Sequence, residues 1–418
     1  MIRSTLIGVV LSLSVVAQSR EVLITGARVL DTSASKFIDD HAVLVRDGRI
    51  AQIAPVDEFG ATLRRIELKD RWLVPGLIDL HSHLVLYPYD RRSWNDQVMK
   101  ESLELRTIRG VVAANRTLEA GWTTLRDLGT EGAGFADVAI RDGIRAGLIR
   151  GPRIVAVTRA IVATGCYGPS GFAPRLDIPK GAQVADGVDG CRKAVREQIA
   201  AGADWIKVYA DYRRKPGDPS TPTFSHTELV AIVQEATSAG VKVSAHAVTD
   251  EAIRRAVRAG VGTIEHGYLA STETFLLMKA TGCALCPTLA ASEAIARYNG
   301  WRPGRPDHAR IKTSKTMFRR ALSSGVHIAC GSDVGVFAHG TQARELELMH
   351  AYGMPLARVL RSATIDAAAV LDDAMLGRIA KGGHADLIAL RKNPLEDVAA
   401  YREVAFVMKG GGVFVKPH

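Results

Sequence analysis

The stretch Val74-Pro-Gly-Leu-Ile-Asp-Leu-His-Ser-His83 introduces the pattern on which the fold depends. A Pro-Gly turn leads into the apolar run 77–80, which ends in two histidines separated by one residue. A short apolar run next to turn residues is typical of a buried strand. Because residues i and i+2 of a strand lie on the same face, both imidazoles can point in one direction.

Further apolar runs of this kind follow along the chain, and helical patterns separate them. The predicted strands are 77–80, 123–125, 153–156, 205–208, 241–245, 261–264, 284–286 and 327–330, and helical patterns include 98–120, 190–201, 225–239, 250–259 and 309–324. Each of these helical patterns is followed by a glycine, as a helix-to-strand turn favours. Eight strand–helix units over about 290 residues predict an α/β fold, a (β/α)8 TIM barrel with insertions. The alternative, an open doubly wound sheet, lacks a glycine-rich phosphate loop after the first strand.

The two ends of the chain have a different sequence pattern. Short segments there alternate between apolar and polar residues, as strands do, and Asp47-Gly48 indicates a hairpin turn. Each end alone has too few strands to bury an apolar face. We therefore predict that both termini pair into one small β-sandwich. The expected domains are 20–75 and 378–418 for the β-sandwich and 76–377 for the catalytic barrel.

The N-terminus has the features of an export signal. Arg3 precedes the apolar segment 6–17, and small residues allow cleavage after Ala17 or Ser19. The apolar segment is shorter than the roughly 20 residues that cross a bilayer. We expect a signal peptide over 1–19, a periplasmic or secreted protein and no membrane span.

Composition excludes several other classes of protein. The 418 residues are 47% hydrophobic and 23% charged, which is typical of a globular chain. The net charge of +10 is scattered rather than gathered in a basic stripe, so we expect no nucleic-acid partner. Five cysteines are too few and too scattered for a disulfide scaffold. We interpret Cys283 and Cys286 as core residues rather than a metal or redox pair.

Polar residues end several of the predicted strands, on the side of a TIM barrel where catalytic residues lie. A lone histidine at a strand end is usually structural, and Asp333 alone could cap the next helix. Together, however, neutral imidazoles and a carboxylate at one rim are ligands that suit zinc-like cations. The residues that converge there are His81, His83, Lys207, His246, His266 and Asp333.

These strand-end residues resemble the amidohydrolase superfamily of metal hydrolases. The resemblance runs from about residue 21 to the end and is carried by the stretch 74–83, His246, His266 and Gly331-Ser-Asp333. The chain is most similar to the imidazolonepropionase-like, Xaa-Pro dipeptidase-type group of exported metal-dependent peptidases. The motifs that carry this narrower match are Ser93-Trp-Asn-Asp-Gln97, Arg126-Asp-Leu-Gly129, Trp205-Ile-Lys-Val-Tyr209 and Gly331-Ser-Asp-Val-Gly-Val-Phe337.

The resemblance implies two divalent cations, with zinc expected, bridged by an N6-carboxylated Lys207 and a hydroxide. It implies that one cation is bound by His81, His83 and Asp333, and the other by His246 and His266. An unmodified ammonium would be repelled between two dications, whereas a carbamate offers an oxygen to each. Asp333 is expected to take the proton of the attacking water and to pass it to the leaving nitrogen.

The loop after the fourth strand offers candidate substrate contacts. Tyr209, Tyr212 and Arg213 could hold a substrate carboxylate, although a solvated loop is the alternative. His339, just beyond the eighth strand, is a further candidate contact. The aromatic residues of the segment 84–95 could form one wall of an apolar pocket.

From these residues we expect a binuclear metal-dependent hydrolase that cleaves the amide or peptide bond of a small substrate with a free carboxylate. It would act as a dipeptidase, as a carboxypeptidase-like enzyme or on N-acyl amino acids. Alternatives are hydrolysis of a cyclic amide, a lactone or an N-acylated aromatic toxin, and an inactive scaffold on the same fold. We also expect a homo-oligomer.

Overall fold

The computed structural model describes residues 21–173, 175–215 and 217–417. The predicted signal peptide, 1–19, lies outside these residues. The strands are β1 (Glu21–Asp31), β2 (Lys36–Ile38), β3 (His41–Arg46), β4 (Arg49–Pro55), β5 (Arg65–Pro75), β6 (Leu77–Ser82), β7 (Trp122–Asp127), β8 (Arg153–Ala156), β9 (Ile161–Val162), β10 (Gln183–Val184), β11 (Trp205–Tyr209), β12 (Asp211–Tyr212), β13 (Thr221–Pro222), β14 (Lys242–Ala247), β15 (Thr263–His266), β16 (Ala284–Cys286), β17 (Leu387–Leu390), β18 (Val404–Lys409) and β19 (Gly412–Val415).

The helices lie mostly between the strands of the central part of the chain. They are α1 (Trp94–Lys100), α2 (Leu103–Glu119), α3 (Ala136–Arg145), α4 (Gly187–Ala200), α5 (His226–Ser238), α6 (Asp250–Ala259), α7 (Thr272–Thr281), α8 (Leu289–Tyr298), α9 (Ala309–Ser324), α10 (Ala343–Ala351), α11 (Leu356–Ser362) and α12 (Ile365–Val370). Within the described parts of the chain, none of them is long and apolar enough to cross a bilayer.

The central strands form a TIM barrel whose members run parallel. β6, β7 and β8 pair in sequence, as do β11, β14, β15 and β16. Hydrogen bonds close both gaps: Asp204 N donates to Ala156 O at 2.7 Å, and Leu80 N donates to Cys330 O at 2.9 Å. The predicted eighth strand, 327–330, is an extended segment with an isolated bridge between Ile328 and Leu285.

The two chain ends meet in one sheet. Its order is β19-β18-β17-β5-β1-β3-β4, with β2 on the side of β1, so the contact between the ends is β17 against β5. The predicted hairpin joins β3 to β4, and Asp47 and Gly48 both have positive φ, at 48° and 76°, as a tight two-residue turn requires. The hydrogen bonds define one sheet, so closure into a β-sandwich and the domain bounds stay predictions.

Two local details differ from the sequence patterns. The helical pattern 98–120 is divided into α1 and α2, because Ser102 caps the second helix by accepting a hydrogen bond from Leu105 N. β6, β14 and β15 extend beyond the predicted runs, so that His81, His246 and His266 are the last or penultimate residues of regular strands. A strand fixes a side chain's direction better than a loop does. Cys283 and Cys286 are buried and unbridged, as expected for core residues.

Candidate active site

A cavity of about 570 Å³ opens at the carboxyl ends of the barrel strands. Four histidines and one aspartate that the sequence singles out lie around it. The lining includes His81, His83, Tyr89, Glu131, Tyr167, Tyr209, Tyr212, Arg213, His246, His266, Tyr268, Arg310 and Asp333. The barrel topology therefore brings together side chains from five different strands or strand ends.

The four imidazoles form a continuous series. The ring centroids of His83 and His81 are 5.3 Å apart, those of His81 and His266 5.2 Å, and those of His266 and His246 4.5 Å. Asp333 Oδ1 lies 3.3 Å from His83 Nε2 and 3.6 Å from His81 Nε2. One ligand atom from each of His81, His83 and Asp333 fits within 4.8 Å of the others, a spacing that could hold a metal ion.

The remote nitrogens of three rings are already occupied by protein partners. His81 Nδ1 lies 2.7 Å from Glu265, His83 Nδ1 lies 2.8 Å from the Gly129 carbonyl, and His266 Nδ1 lies 2.8 Å from Thr288 Oγ1. Histidine ligands of metals usually donate their second N–H in this way, which fixes the ring and leaves Nε2 free. The residues present therefore fit a metal site.

Burial sets the protonation of most of these imidazoles. It lowers the pKa of His81 to about 4 and that of His246 to about 3, so both rings are neutral at pH 7, as a metal ligand must be. For His83 burial acts in the same direction, but the hydrogen bond to Asp333 and the charge of Glu131 outweigh it and raise the pKa to about 9. A cation between His83 and Asp333 would take the place of that proton.

Lys207 lies in the middle of β11 and is fully buried. Burial lowers the pKa of its amine. The described residues offer its Nζ no hydrogen bond, and the atom lies 5.7 Å from the centroid of the Tyr209 ring. Lys207 is thus a buried amine that has no hydrogen-bonding partner among the described residues.

Backbone strain is concentrated at this rim. Glu131, His266 and Asp333 all have positive φ, at 51°, 74° and 61°, a conformation that residues other than glycine rarely adopt. Such strain persists where the surrounding structure fixes the conformation, and it clusters at functional sites. For Asp333, the fixing contact is a backbone hydrogen bond of 2.7 Å to the His81 carbonyl.

The predicted substrate contacts are only partly brought together. Tyr209, Tyr212 and Arg213 line the cavity, with the Arg213 guanidinium 5.1 Å above the ring of Tyr212. His339 does not line it. The His339 ring lies behind the site, with Nε2 3.2 Å from the His83 carbonyl and Nδ1 3.0 Å from Thr117 Oγ1 on α2.

Several residues of the site were not predicted from the sequence to be site residues. Glu265 and Arg126 form a buried pair beneath His81, and Glu131 and Arg310 lie in the cavity wall. Glu131 had a detectable signal, because it is an acidic residue four positions after β7, on the catalytic side of the barrel. Arg310 begins a helix far from any strand end, and no sequence pattern places it near the histidines.

Comparisons with known proteins agree with this geometry. Residues 72–414 match the model of the amidohydrolase family, and the chain belongs to this family. An ochratoxinase from Aspergillus niger is 32% identical over 377 residues, which cover 82% of this chain and 76% of that protein.

Two solved structures have the same fold and comparable sequence identity. The crystal structure of a Xaa-Pro dipeptidase with bound methionine in the active site has a TM-score of 0.84 and 31% identity, covering 94% of this chain and 99% of that one. The crystal structure of a prolidase complexed with N-methylphosphonate-L-proline has a TM-score of 0.84 and 32% identity, covering 95% and 100%. The chain is therefore a hydrolase of the amidohydrolase superfamily, and the predicted family and enzyme class are confirmed.

Proposed function

We propose that the enzyme hydrolyses the amide bond of dipeptides or N-acyl amino acids that carry a free carboxylate. The observation that carries this proposal is the lining of one cavity, which combines side chains that could hold a metal ion with two arginines, Arg213 and Arg310. No carboxylate of the described residues pairs with either guanidinium. An arginine without a carboxylate partner next to a hydrolytic site is suited to a substrate carboxylate.

We assign two divalent cations to the site, with zinc as the expected metal. His81, His83 and Asp333 would hold one, and His246 and His266 the other. When bound, the cations would act as Lewis acids toward the scissile carbonyl and toward a water molecule. The hydrogen bonds on the remote nitrogens of His81, His83 and His266 support this assignment, since they orient the rings before any ion binds.

The Lys207 amine is proposed to be carboxylated and to lie between the two cations. A neutral amine can add to carbon dioxide: the nitrogen lone pair forms the new C–N bond, one C=O pair moves to oxygen, and the amine proton leaves to water. Burial favours the neutral amine, and the nitrogen has no hydrogen bond from the described residues to compete for it. The anionic product would supply the missing partner for cations between the imidazoles.

Asp333 is the proposed proton carrier. Its carboxylate lies within 3.6 Å of two imidazoles that are proposed ligands, and its backbone N–H donates to the His81 carbonyl. Its Oδ atoms would accept the proton of the attacking water and donate it to the leaving nitrogen as the C–N bond breaks.

A second candidate is hydrolysis of an amide with an aromatic acyl group, as in an N-acylated aromatic toxin. The cavity walls include Tyr167, Tyr209 and Tyr268, so this part of the lining is aromatic. The similarity to an ochratoxinase supports this candidate. Both candidates share the metal centre and the free carboxylate, and they differ in the acyl side of the substrate.

We further propose export to the periplasm or the medium and a homo-oligomeric state. The first proposal depends on the N-terminal sequence alone, and the second stays an expectation. Neither affects the chemistry of the cavity.

The proposed function is tested with protein purified from cells supplied with zinc. Elemental analysis should give about two ions per chain, and a panel of dipeptides and N-acyl amino acids should reveal hydrolysis that a chelator abolishes. Full activity in metal-free protein would overturn the assignment of the metal centre. Hydrolysis of lactones or cyclic amides, with none of dipeptides or N-acyl amino acids, would overturn the substrate class.

A further inference from the structure

One wall of the cavity contains a buried carboxylate, one oxygen of which accepts only a long hydrogen bond. Glu131 is only 2% exposed. Its Oε2 accepts hydrogen bonds from Trp94 Nε1 at 2.8 Å and from the Tyr167 hydroxyl. Its Oε1 has one hydroxyl near it, that of Tyr209 at 3.4 Å, which is longer than an ordinary O–H···O hydrogen bond. Oε1 therefore accepts one long hydrogen bond and can accept a further, shorter one.

Among the described residues, no arginine or lysine forms a direct ion pair with the Glu131 carboxylate. The nearby Arg106 donates to backbone carbonyls, those of Val85, Thr130 and Glu131, and not to the Glu131 carboxylate. His83 Nδ1 lies 3.9 Å from Oε1, but this nitrogen is hydrogen-bonded to the Gly129 carbonyl. A buried charge is costly unless a partner of opposite charge completes it.

The walls beside Glu131 are aromatic. The rings of Tyr167 and Tyr209 are stacked with centroids 4.4 Å apart, and Trp94 lies 4.8 Å from Tyr167. His246 also stacks on Tyr209, with ring centroids 4.5 Å apart, so both faces of the Tyr209 ring are covered. The phenol hydroxyls and the carboxylate can instead accept hydrogen bonds from an ammonium group. The cavity thus offers at this point the surroundings that a small organic cation requires.

We infer that Glu131, together with Tyr167 and Tyr209, binds the free α-ammonium group of a dipeptide substrate. This inference rests on the proposed function and narrows it, because it favours dipeptides over N-acyl amino acids. Glu131 is a substrate-specificity residue, and the ammonium of the substrate is the further donor to Oε1.

Glu131 lies near the proposed proton carrier Asp333. Both carboxylates approach the same ring: Asp333 lies 3.3 Å from His83 Nε2 and Glu131 lies 3.9 Å from His83 Nδ1. One imidazole ring and the two contacts to it therefore separate the carboxylates. An α-ammonium is the cationic group that every dipeptide carries next to the scissile bond.

The test compares alanyl-phenylalanine with propanoyl-phenylalanine, which has the same shape without the ammonium. We expect the wild-type kcat/KM to be higher for the dipeptide by about 10–100-fold, the equivalent of one charge-assisted hydrogen bond. Glu131→Gln should remove this preference by lowering the value for the dipeptide alone. Glu101→Gln, a carboxylate that pairs with Arg92 and Arg109 outside the cavity, should retain the preference.

Each outcome separates the inference from the proposed function. Equal kcat/KM for the two substrates in the wild-type enzyme would overturn the role of Glu131 and leave amide hydrolysis intact. An equal loss on both substrates in Glu131→Gln would show a structural role and would also overturn it. Hydrolysis of neither substrate by metal-loaded wild-type protein would instead count against the proposed function. The wild-type comparison decides the inference even if the variant does not fold.

Discussion

Glu265 accepts a hydrogen bond from His81 Nδ1 at 2.7 Å, with both side chains buried beneath the cavity. The same carboxylate is 2.9 Å from the Arg126 guanidinium and accepts hydrogen bonds from the hydroxyls of Ser244 and Thr263. Burial opposes its ionisation, but Arg126 and His81 outweigh burial and hold the pKa of Glu265 well below its usual value. An ionised carboxylate only accepts hydrogen bonds, so His81 must carry its proton on Nδ1 and present a bare Nε2 toward Asp333.

Glu265→Gln should weaken metal binding because an amide cannot fix this tautomer as firmly. Loss of such a partner typically lowers metal affinity by about 10–100-fold. The measurement is competition for zinc between the protein and a fluorescent chelator. Thermal unfolding must be followed in parallel, since leaving Arg126 without its partner also destabilises the fold, by up to about 3–5 kcal/mol.

Glu345→Gln is the matched control for Glu265→Gln. Glu345 is another buried carboxyl, which accepts backbone hydrogen bonds from Leu289 and Ala290, and burial raises its pKa to about 8. Neither of these hydrogen bonds involves a proposed metal ligand, so its amide should leave zinc affinity unchanged. A folded Glu265→Gln protein with wild-type zinc affinity would contradict the orienting role.

Lys207→Ala should lose much of the bound metal and nearly all activity. A short carboxylic acid such as propionate should restore part of both, because it can enter the vacated space and supply the oxygens of the proposed carbamate. Lys207→Arg should not be rescued, since a guanidinium keeps a positive charge between the cations. Metal content and rate are measured with and without the acid, and intact-mass analysis under non-denaturing conditions should detect the added carbon dioxide. A bare amine in active, metal-loaded protein would refute the proposal.

Asp333→Asn keeps the shape of the side chain but removes its ability to accept a proton. The expected fall in kcat is about 10²–10⁴-fold, the usual contribution of general acid–base catalysis. Bound metal should fall as well, because the carboxylate is also a proposed ligand. Asp372→Asn is the control: it has the same substitution at a similar positive φ, 56° against 61°, at a residue paired with Lys242 on the opposite side of the barrel. A near-native kcat in Asp333→Asn would place the proton carrier elsewhere.

The positions of the histidines could be predicted from the sequence because the strands of the barrel are parallel. In a (β/α)8 barrel the carboxyl ends of all strands reach one rim, so identifying His81, His246 and His266 as strand-end residues was enough to place them together. No long-range information was needed beyond the order of strands and helices. The same argument placed Asp333, although its strand is an extended segment with few bridges.

The cavity walls could not be predicted in this way because they depend on contacts between loops. His339 is close to Asp333 in the chain, yet its ring turns toward Thr117 on α2 instead of into the cavity. Glu131 acquires its surroundings from Trp94 and Tyr167, which belong to different loops and elements of the chain. Side-chain directions of this kind depend on packing across the barrel mouth, which no local pattern encodes.

The last prediction is that Arg213 and Arg310 bind the carboxylate of the substrate. Amidating the C-terminus of a good dipeptide substrate should reduce kcat/KM by the equivalent of about 1.5–3 kcal/mol, because a charge-assisted hydrogen bond is lost. Arg310 should contribute more of this than Arg213, since Arg310 is half-buried whereas Arg213 is exposed to solvent that screens its charge.

The two arginines are separated by comparing variants on the acid and on its amide. Arg310→Met should reduce hydrolysis of the free acid and leave hydrolysis of the amide nearly unchanged, so that the two rates converge. Arg213→Met should have a smaller effect in the same direction, and Arg214→Met, an exposed neighbour that does not line the cavity, should have none. Equal kcat/KM for the free dipeptide and its C-terminal amide in the wild-type enzyme would show that neither arginine binds a substrate carboxylate. That result would favour the cyclic-amide or lactone alternative, in which the substrate has no terminal carboxylate to bind.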